Sequence, residues 1–474
     1  MRENVGKVKR KRVKKTQMNK KRSAFSGKIG YVLSAAGASV GLGNIWRFPY
    51  LAAKYGGGIF LLVYIILALT FGYTMIVAES ALGRMTRKSP VGAFRSFTKG
   101  KKVGWLSFGG WINAIIPVLI VPYYSVIGGW VVKYLFEYIR GNGSKLAEDG
   151  YFSGFISNGG ATEICFVIFC MFTLVIIYAG VQNGIERVSK IMMPILIILS
   201  VIIAIYSVTR PGAIEGVKYF LVPNIKNFSW MTVVTAMGQM FYSLSIAMGI
   251  LVTFGSYMRK DTSIEDSTRN VEIFDTAIAM MAGLMIIPAV FAFSGGDPDT
   301  LQAGPSLMFI TIPKVFANMG FGTAVGILFF VLVLFAAVTS SIALTESAVS
   351  TFEDELGWGR KKATVLTGVI MIILGTLSCL GYGPLDFVKI IGMQFLDFFD
   401  FLTNSVMMPI AALMTSLLVS RVIGVDKIEE EIRHGESAFR RKKIFVVMIK
   451  YLCPIFALII LASSVANAFG WIAM

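Results

Sequence analysis

Residues 35–44, AAGASVGLGN, put three glycines, Ser39 and Asn44 in the middle of an apolar stretch that runs over 29–54. A helix interior favours Ala or Leu, and each Gly there costs about 1 kcal/mol. The pattern therefore predicts a helix that is interrupted at mid-length. The rest of the chain identifies the medium. Of 474 residues, 55% are hydrophobic and only 15% charged, whereas soluble proteins carry about 25% charged residues. Apolar stretches able to cross about 30 Å of hydrocarbon recur at 29–54, 58–84, 104–138, 163–180, 187–209, 228–257, 267–294, 321–353, 361–382, 388–421 and 444–472. Eleven such spans describe an all-α polytopic membrane protein with its termini on opposite sides.

A second interruption falls in the sixth span, where 242–249 read YSLSIAMG. Backbone that leaves the helix inside a bilayer must line a cavity or bind something, because its freed amides and carbonyls find no water there. Two interruptions five spans apart suggest a 5+5 inverted repeat, 29–209 and 228–421, whose broken helices 1 and 6 meet unwound at the midplane as in transporters. A loop, 422–443, and an eleventh helix, 444–474, complete the chain after the basic tail 1–28. Close helix packing is the alternative use of small residues, but Ser39 and Asn44 also need polar partners.

The net charge of +18 invites a nucleic-acid reading until its placement is seen. Residues 1–28 hold twelve Lys or Arg and one acid, Glu3, and most other basic residues fall in loops of the same face. The positive-inside rule then sets the N-terminus in the cytoplasm and the C-terminus outside a cell inner membrane. The basic face meets lipid headgroups, and no nucleic-acid groove is implied. His434 is the single histidine, and Cys165, Cys170, Cys379 and Cys453 form no CxxC pair, so zinc sites and histidine triads lack their parts. A phosphate-binding GxxxxGK[ST] loop is missing, which argues against a nucleotide motor in this chain. Gly41, Leu42 and Gly43 begin a dinucleotide fingerprint that fails at Trp46 and follows no strand. An enzyme lacks its convergent acid, base and nucleophile.

Four longer motifs bring a family into view. Residues 37–50 (GASVGLGNIWRFPY, followed by Gly56, Gly57 and Gly58), 239–261 (QMFYSLSIAMGILVTFGSYMRKD), 335–356 (FAAVTSSIALTESAVSTFEDEL) and 395–401 (FLDFFDF) closely resemble the first, sixth, eighth and tenth spans of the neurotransmitter:sodium symporter family. They occur in order and at suitable separations. The resemblance implies the leucine-transporter fold and two sodium sites. The first would use Ser39, Asn44, Ser243 and Asp275, completed by the substrate carboxylate. Asp275 departs from the asparagine of many members, and the extra negative charge suggests that chloride is not needed. A carboxylate there could alternatively serve only a neighbouring Arg or hydroxyl. The second site would take carbonyls of Gly37, Val40 and Ala336 with the hydroxyls of Thr339 and Ser340. Buried Ser and Thr commonly bond back to their own helix instead.

Between these sites the resemblance implies an α-amino acid. Its carboxylate would meet the amides of Leu42 and Gly43 and the Tyr124 hydroxyl, since freed N–H groups at a half-helix start supply donors and positive dipole. Its ammonium would meet carbonyls of Ser39 and Tyr242 and the Ser245 hydroxyl. Ile120, Tyr124, Tyr242, Met248, Ser340 and Leu344 would surround the side chain, with no charge to pair with Lys, Arg, Asp or Glu. A hydrophobic or aromatic amino acid is the expected substrate, and the flexible Met248 favours breadth.

Charges inside spans default to function. Arg47 with Asp400 matches the family's outer gate, and Arg22 with Asp354, beside Phe25 where tryptophan is usual, its inner one. Simple interfacial salt bridges are the alternative. Glu79 would support unwound backbone. Function is expected to be sodium-coupled symport of neutral hydrophobic amino acids by alternating access. A proton-coupled or sodium-independent transporter, and a sensor or channel on the same scaffold, remain alternatives.

Overall fold

The computed structural model describes residues 22–100, 102–294 and 304–472. Most of the basic tail lies outside the described residues. Helix α1, Lys28–Ser39, stops where the glycines and Ser39 make continuation costly. Val40 turns to extended backbone (φ −76°, ψ 93°) while its N–H still bonds Ala36 O. The chain re-enters a wide helical turn at Gly43–Arg47 and continues as α2, Phe48–Lys54, with Pro49 in its first turn, where no N–H is needed.

Four long helices follow: α3 (Gly58–Thr86), α4 (Gly104–Ile139), α5 (Gly159–Tyr178) and α6 (Val181–Val208). The second break repeats the first in another chemistry. Helix α7, Trp230–Ser243, starts in a capping box in which Ser229 and Thr232 exchange bonds. It ends in backbone where Ser245 (φ 53°), Ala247 (φ 60°) and Gly249 (φ 70°) occupy the left-handed region. Two of these three are not glycine, a cost the surrounding contacts must offset. Helix α8, Ile250–Tyr257, resumes the direction. Five more long helices complete the fold: α9 (Ile264–Ser294), α10 (Gly322–Leu356), α11 (Arg360–Leu380), α12 (Phe395–Ile423) and α13 (Lys442–Ala468).

Nine of the described helices are long and apolar enough to cross a membrane, and the halves α1–α2 and α7–α8 run between them. The protein is thus an all-helical, multi-pass membrane protein. At its centre α10 packs on α4, α5, α6 and α1. The outer faces of α5, α6, α11 and α13 expose large apolar side chains such as Ile164, Ile198, Ile373 and Leu458, as a lipid-facing ring requires.

The crossing of α3 and α8 is close. A Cβ at Gly83 of α3 would lie 2.0 Å from Val252 O of α8, and one at Gly255 of α8 would lie 2.5 Å from Ser80 O of α3. The helices touch backbone to backbone in the small-residue manner of membrane packing. Gly83→Val is therefore expected to lose the monodisperse peak on size-exclusion chromatography, since overpacking costs about 1–3 kcal/mol and here the obstacle is backbone.

Two of the differences from the expected element boundaries have a readable cause. The tenth span starts at Phe395 rather than 388, because Ile391 (φ 52°) and Gly392 (φ 78°) form a tight turn closed by paired bonds between Ile390 and Met393. The expected loop 422–443 contains the helix Val425–Arg433, which buries Val425, Ile428 and Ile432 along one face. Its Glu431 pairs with the fully buried Arg84 of α3 (2.7 Å), whose guanidinium also donates to Thr262 O (2.6 Å). His434 follows that helix and is partly exposed, and all four cysteines are free thiols.

Candidate functional site

The last carbonyls of α1 have no helix to accept from. The Ser340 hydroxyl of α10 lies 3.3 Å from Gly37 O, 3.2 Å from Ala38 O and 3.4 Å from Val40 O. One hydroxyl carries one proton, so at most one of these contacts is an ordinary hydrogen bond at a time. The Thr339 hydroxyl donates to Phe335 O (3.0 Å) and lies 3.2 Å from Ala336 O. That back-bond uses its proton and leaves oxygen lone pairs free. A Cβ at Gly37 would sit 3.2 Å from Thr339 Cβ, so α1 and α10 touch at this point. The five residues expected at the second sodium site are together, in an oxygen-rich, proton-poor cluster of the kind hard cations prefer.

Asp275 of α9 organises the other side. Its Oδ1 accepts from Asn44 Nδ2 (2.9 Å) and Ser243 Oγ (2.8 Å), and its Oδ2 from Tyr64 Oη (2.7 Å). Asn44 Oδ1 in turn accepts from Gly41 N (3.2 Å). The carboxylate is fully buried and has three neutral donors, but no Lys or Arg within 4 Å among the described residues. A buried charge without a counter-charge is expensive, so this cluster has the chemistry to hold a cation. Ser39 is adjacent, its hydroxyl bonded back to Ala35 O (3.2 Å).

Between the two clusters lies a small cavity, with about 20 Å³ open to a water-sized molecule. Every residue expected to touch substrate lines it: Ser39, Leu42, Gly43, Ile120, Tyr124, Tyr242, Ser243, Ser245, Met248, Ser340 and Leu344. Ala38, Gly41, Asn44 and Ile250 join them, and none of the lining residues is charged. Leu42 N donates to Tyr124 Oη (3.2 Å), so an amide and a phenol meet at one end of the cavity. The Ser245 hydroxyl donates to Ala38 O (3.0 Å), and Ser245 N reaches Tyr242 O (3.3 Å). A Cβ at Gly43 would stand 2.5 Å from the Tyr242 ring. Gly43→Ala is accordingly expected to displace that ring and weaken substrate binding at least tenfold in a scintillation proximity assay, with the fold intact.

Beyond Tyr242 a vestibule of about 310 Å³ opens, lined by Arg47, Tyr123, Asp397 and Asp400 among others. Tyr242 is shared by both cavities. Arg47 and Asp400 do not form the expected ion pair here. The Arg47 guanidinium lies 5.5 Å over the Tyr242 ring, and Asp400 accepts from Asn404 Nδ2 (2.6 Å) and Tyr123 Oη (3.2 Å).

The opposite end is shut. Arg22 Nη1 meets Asp354 Oδ1 at 2.6 Å, and Nη2 donates to Ser256 (2.9 Å) and Ser350 (2.7 Å). Phe25 is buried edge-on against Tyr31, Phe254 and Tyr257. Glu79 accepts from Ala247 N (2.8 Å) and so ties down the broken backbone between α7 and α8. Sequence reasoning missed Tyr64, Tyr123, Asn404 and Gln239, whose Nε2 donates to Gly43 O (3.1 Å). Asn404 stands one turn after Asp400, which was a readable signal; nothing local distinguishes Tyr64 from other aromatics in its span.

Comparison with known proteins places the chain in a family. The model of the sodium:neurotransmitter symporter family matches residues 22–144 and 151–470. An uncharacterized sodium-dependent transporter, YhdH, of Bacillus subtilis (strain 168) is 36% identical over 417 residues, covering 87% of this chain and 91% of that one. An uncharacterized sodium-dependent transporter of Haemophilus influenzae is 32% identical over 461 residues, covering 95% and 99%. The crystal structure of MhsT in complex with L-phenylalanine superposes with a TM-score of 0.83 at 35% identity, covering 94% of this chain and all of that one. A family of transporters, not enzymes, is thereby identified: the chain belongs to the sodium:neurotransmitter symporter family.

Proposed function

We propose that this protein is a sodium-coupled symporter of neutral hydrophobic or aromatic L-amino acids, working by alternating access. The observation that carries the reading is a charge-free cavity with an amide and a phenol at one end, flanked by two oxygen clusters built on the same broken helix. Substrate carboxylate would sit on the Leu42 and Gly43 amides and the Tyr124 hydroxyl; its ammonium would face Ser39 O, Tyr242 O and Ser245. Two sodium ions travel as co-substrates, one at Ser39, Asn44, Ser243 and Asp275, the other at Gly37, Val40, Ala336, Thr339 and Ser340. The Asp275 charge takes the place chloride would otherwise fill. The similar structure with bound L-phenylalanine supports an aromatic-tolerant pocket.

In this proposal the nine long helices and the two broken ones make eleven spans in a 5+5 inverted repeat, with the basic N-terminus cytoplasmic. Arg22 and Asp354 close the inner path, while closure of Arg47 onto Asp400 over Tyr242 would seal the outer one. The test is uptake of leucine, tyrosine or tryptophan into proteoliposomes. An inward sodium gradient should drive it without chloride; equal uptake when potassium replaces sodium would sink the reading. Met248→Phe is expected to shorten the cavity and shift preference from tryptophan towards leucine by about tenfold, comparable to the ~1–3 kcal/mol that a change of one methylene makes in a hydrophobic pocket.

A further inference from the structure

Away from the transport path, α5 and α11 leave between them an open trough of about 540 Å³, lined by Leu174, Val175 and Tyr178 on one side and Thr364, Gly368 and Val369 on the other. We propose that this trough is a seat for one anionic glycerophospholipid, its acyl chain lying between the helices and its phosphate at Lys361 and Lys362. Three observations select that occupant. The walls are almost wholly apolar, and their outward residues Val175, Val365 and Ile373 are well exposed. The trough is also the height of one leaflet. From Lys361 to Ile373 the helix rises about 18 Å, against about 15 Å for half of a ~30 Å hydrocarbon core.

Its mouth, finally, is basic. Lys361 and Lys362 are exposed at the start of α11, and the Lys361 ammonium lies 5.4 Å over the Tyr178 ring at the trough's edge. Within the trough, about one turn deeper than Lys361, the buried Thr364 hydroxyl has no hydrogen-bond partner in the protein. That depth suits a glycerol ester carbonyl, which accepts a hydrogen bond and donates none. The floor is closed at Gly368, where the two helices come together and a Cβ would stand only 3.0 Å from Leu174 Cδ1.

Native mass spectrometry of the full chain, titrated with phosphatidylglycerol and with phosphatidylcholine, tests the seat. The unaltered protein should retain one phosphatidylglycerol in preference to phosphatidylcholine. Lys361→Gln with Lys362→Gln should weaken that retention by about 25-fold, at about fivefold per lysine near a charged surface. Val369→Trp, which fills the trough from its exposed side, should remove retention of both lipids. Neither change touches the transport cavity, so substrate-induced thermal stabilisation should persist and confirm folding. Equal retention of the two lipids by the unaltered protein overturns the proposal, as does phosphatidylglycerol retention that survives Val369→Trp. A dimer that Val369→Trp dissociates and added lipid does not would assign the trough to a second copy instead.

Discussion

Asp275→Asn is expected to raise the sodium concentration for half-maximal uptake by about 30- to 1,000-fold, with little change in shape. The carboxylate gathers Asn44, Ser243 and Tyr64 within 2.9 Å and has no cationic side chain beside it. In a site closed to water, an ion bound there feels the charge almost unscreened. Removing one member of a buried, hydrogen-bonded charge pair costs about 2–4 kcal/mol, or ~30- to 1,000-fold at 1.4 kcal/mol per decade. Asparagine still accepts from the Tyr64 hydroxyl, so a loss of sodium response with an unaltered elution profile would be electrostatic. Uptake measured over a sodium series in proteoliposomes gives the result, and an unchanged midpoint detaches Asp275 from the ion.

The second large effect is expected from replacing Thr339 and Ser340 together by alanine. Ser340 lies within 3.4 Å of three carbonyls at the end of α1, and Thr339 bonds back to Phe335 O. Losing both hydroxyls removes two of five oxygen ligands. At about 1–3 kcal/mol for each buried polar group left unmatched, sodium-stimulated uptake should fall by ~30-fold or more. Each alanine fits the helix, and Thr339→Ser offers a rescue because it restores the oxygen without the methyl. If uptake kept its sodium dependence in the double variant, this cluster would not be the coupling site, and proton-driven transport would become the better account of the cavity.

How far these residues were legible varies with the kind of signal each carries. The break at 40–42 was visible because glycine and asparagine in an apolar run violate helix chemistry, and the second break because it repeats that violation five spans later. Thr339 and Ser340 were ambiguous on local grounds, and the structure shows why: Thr339 does bond its own helix, while Ser340 reaches across to α1. Tyr64 was not legible, since its partner lies 211 residues away and an aromatic in a span ordinarily serves packing. The Arg47 and Asp400 spacing depends on how far the vestibule is open, which residue order does not encode. The helix Val425–Arg433 was hidden by its charge, its three buried aliphatics being diluted among Asp, Glu, Lys and Arg.

The glycine crossing between α3 and α8 has a mechanical meaning. Side chains that interdigitate can slip past one another by changing rotamer, but two backbones pressed together at Gly83 and Gly255 have no such soft degree of freedom. Glu79, less than two turns from that contact, holds Ala247 at the hinge from which α8 departs. Any tilt of α8 is therefore handed to α3 without play, as motion passes through a rigid coupling. Arg84 on α3 is tied to the helix Val425–Arg433 by its ion pair with Glu431, so any such tilt would be passed on to that helix as well.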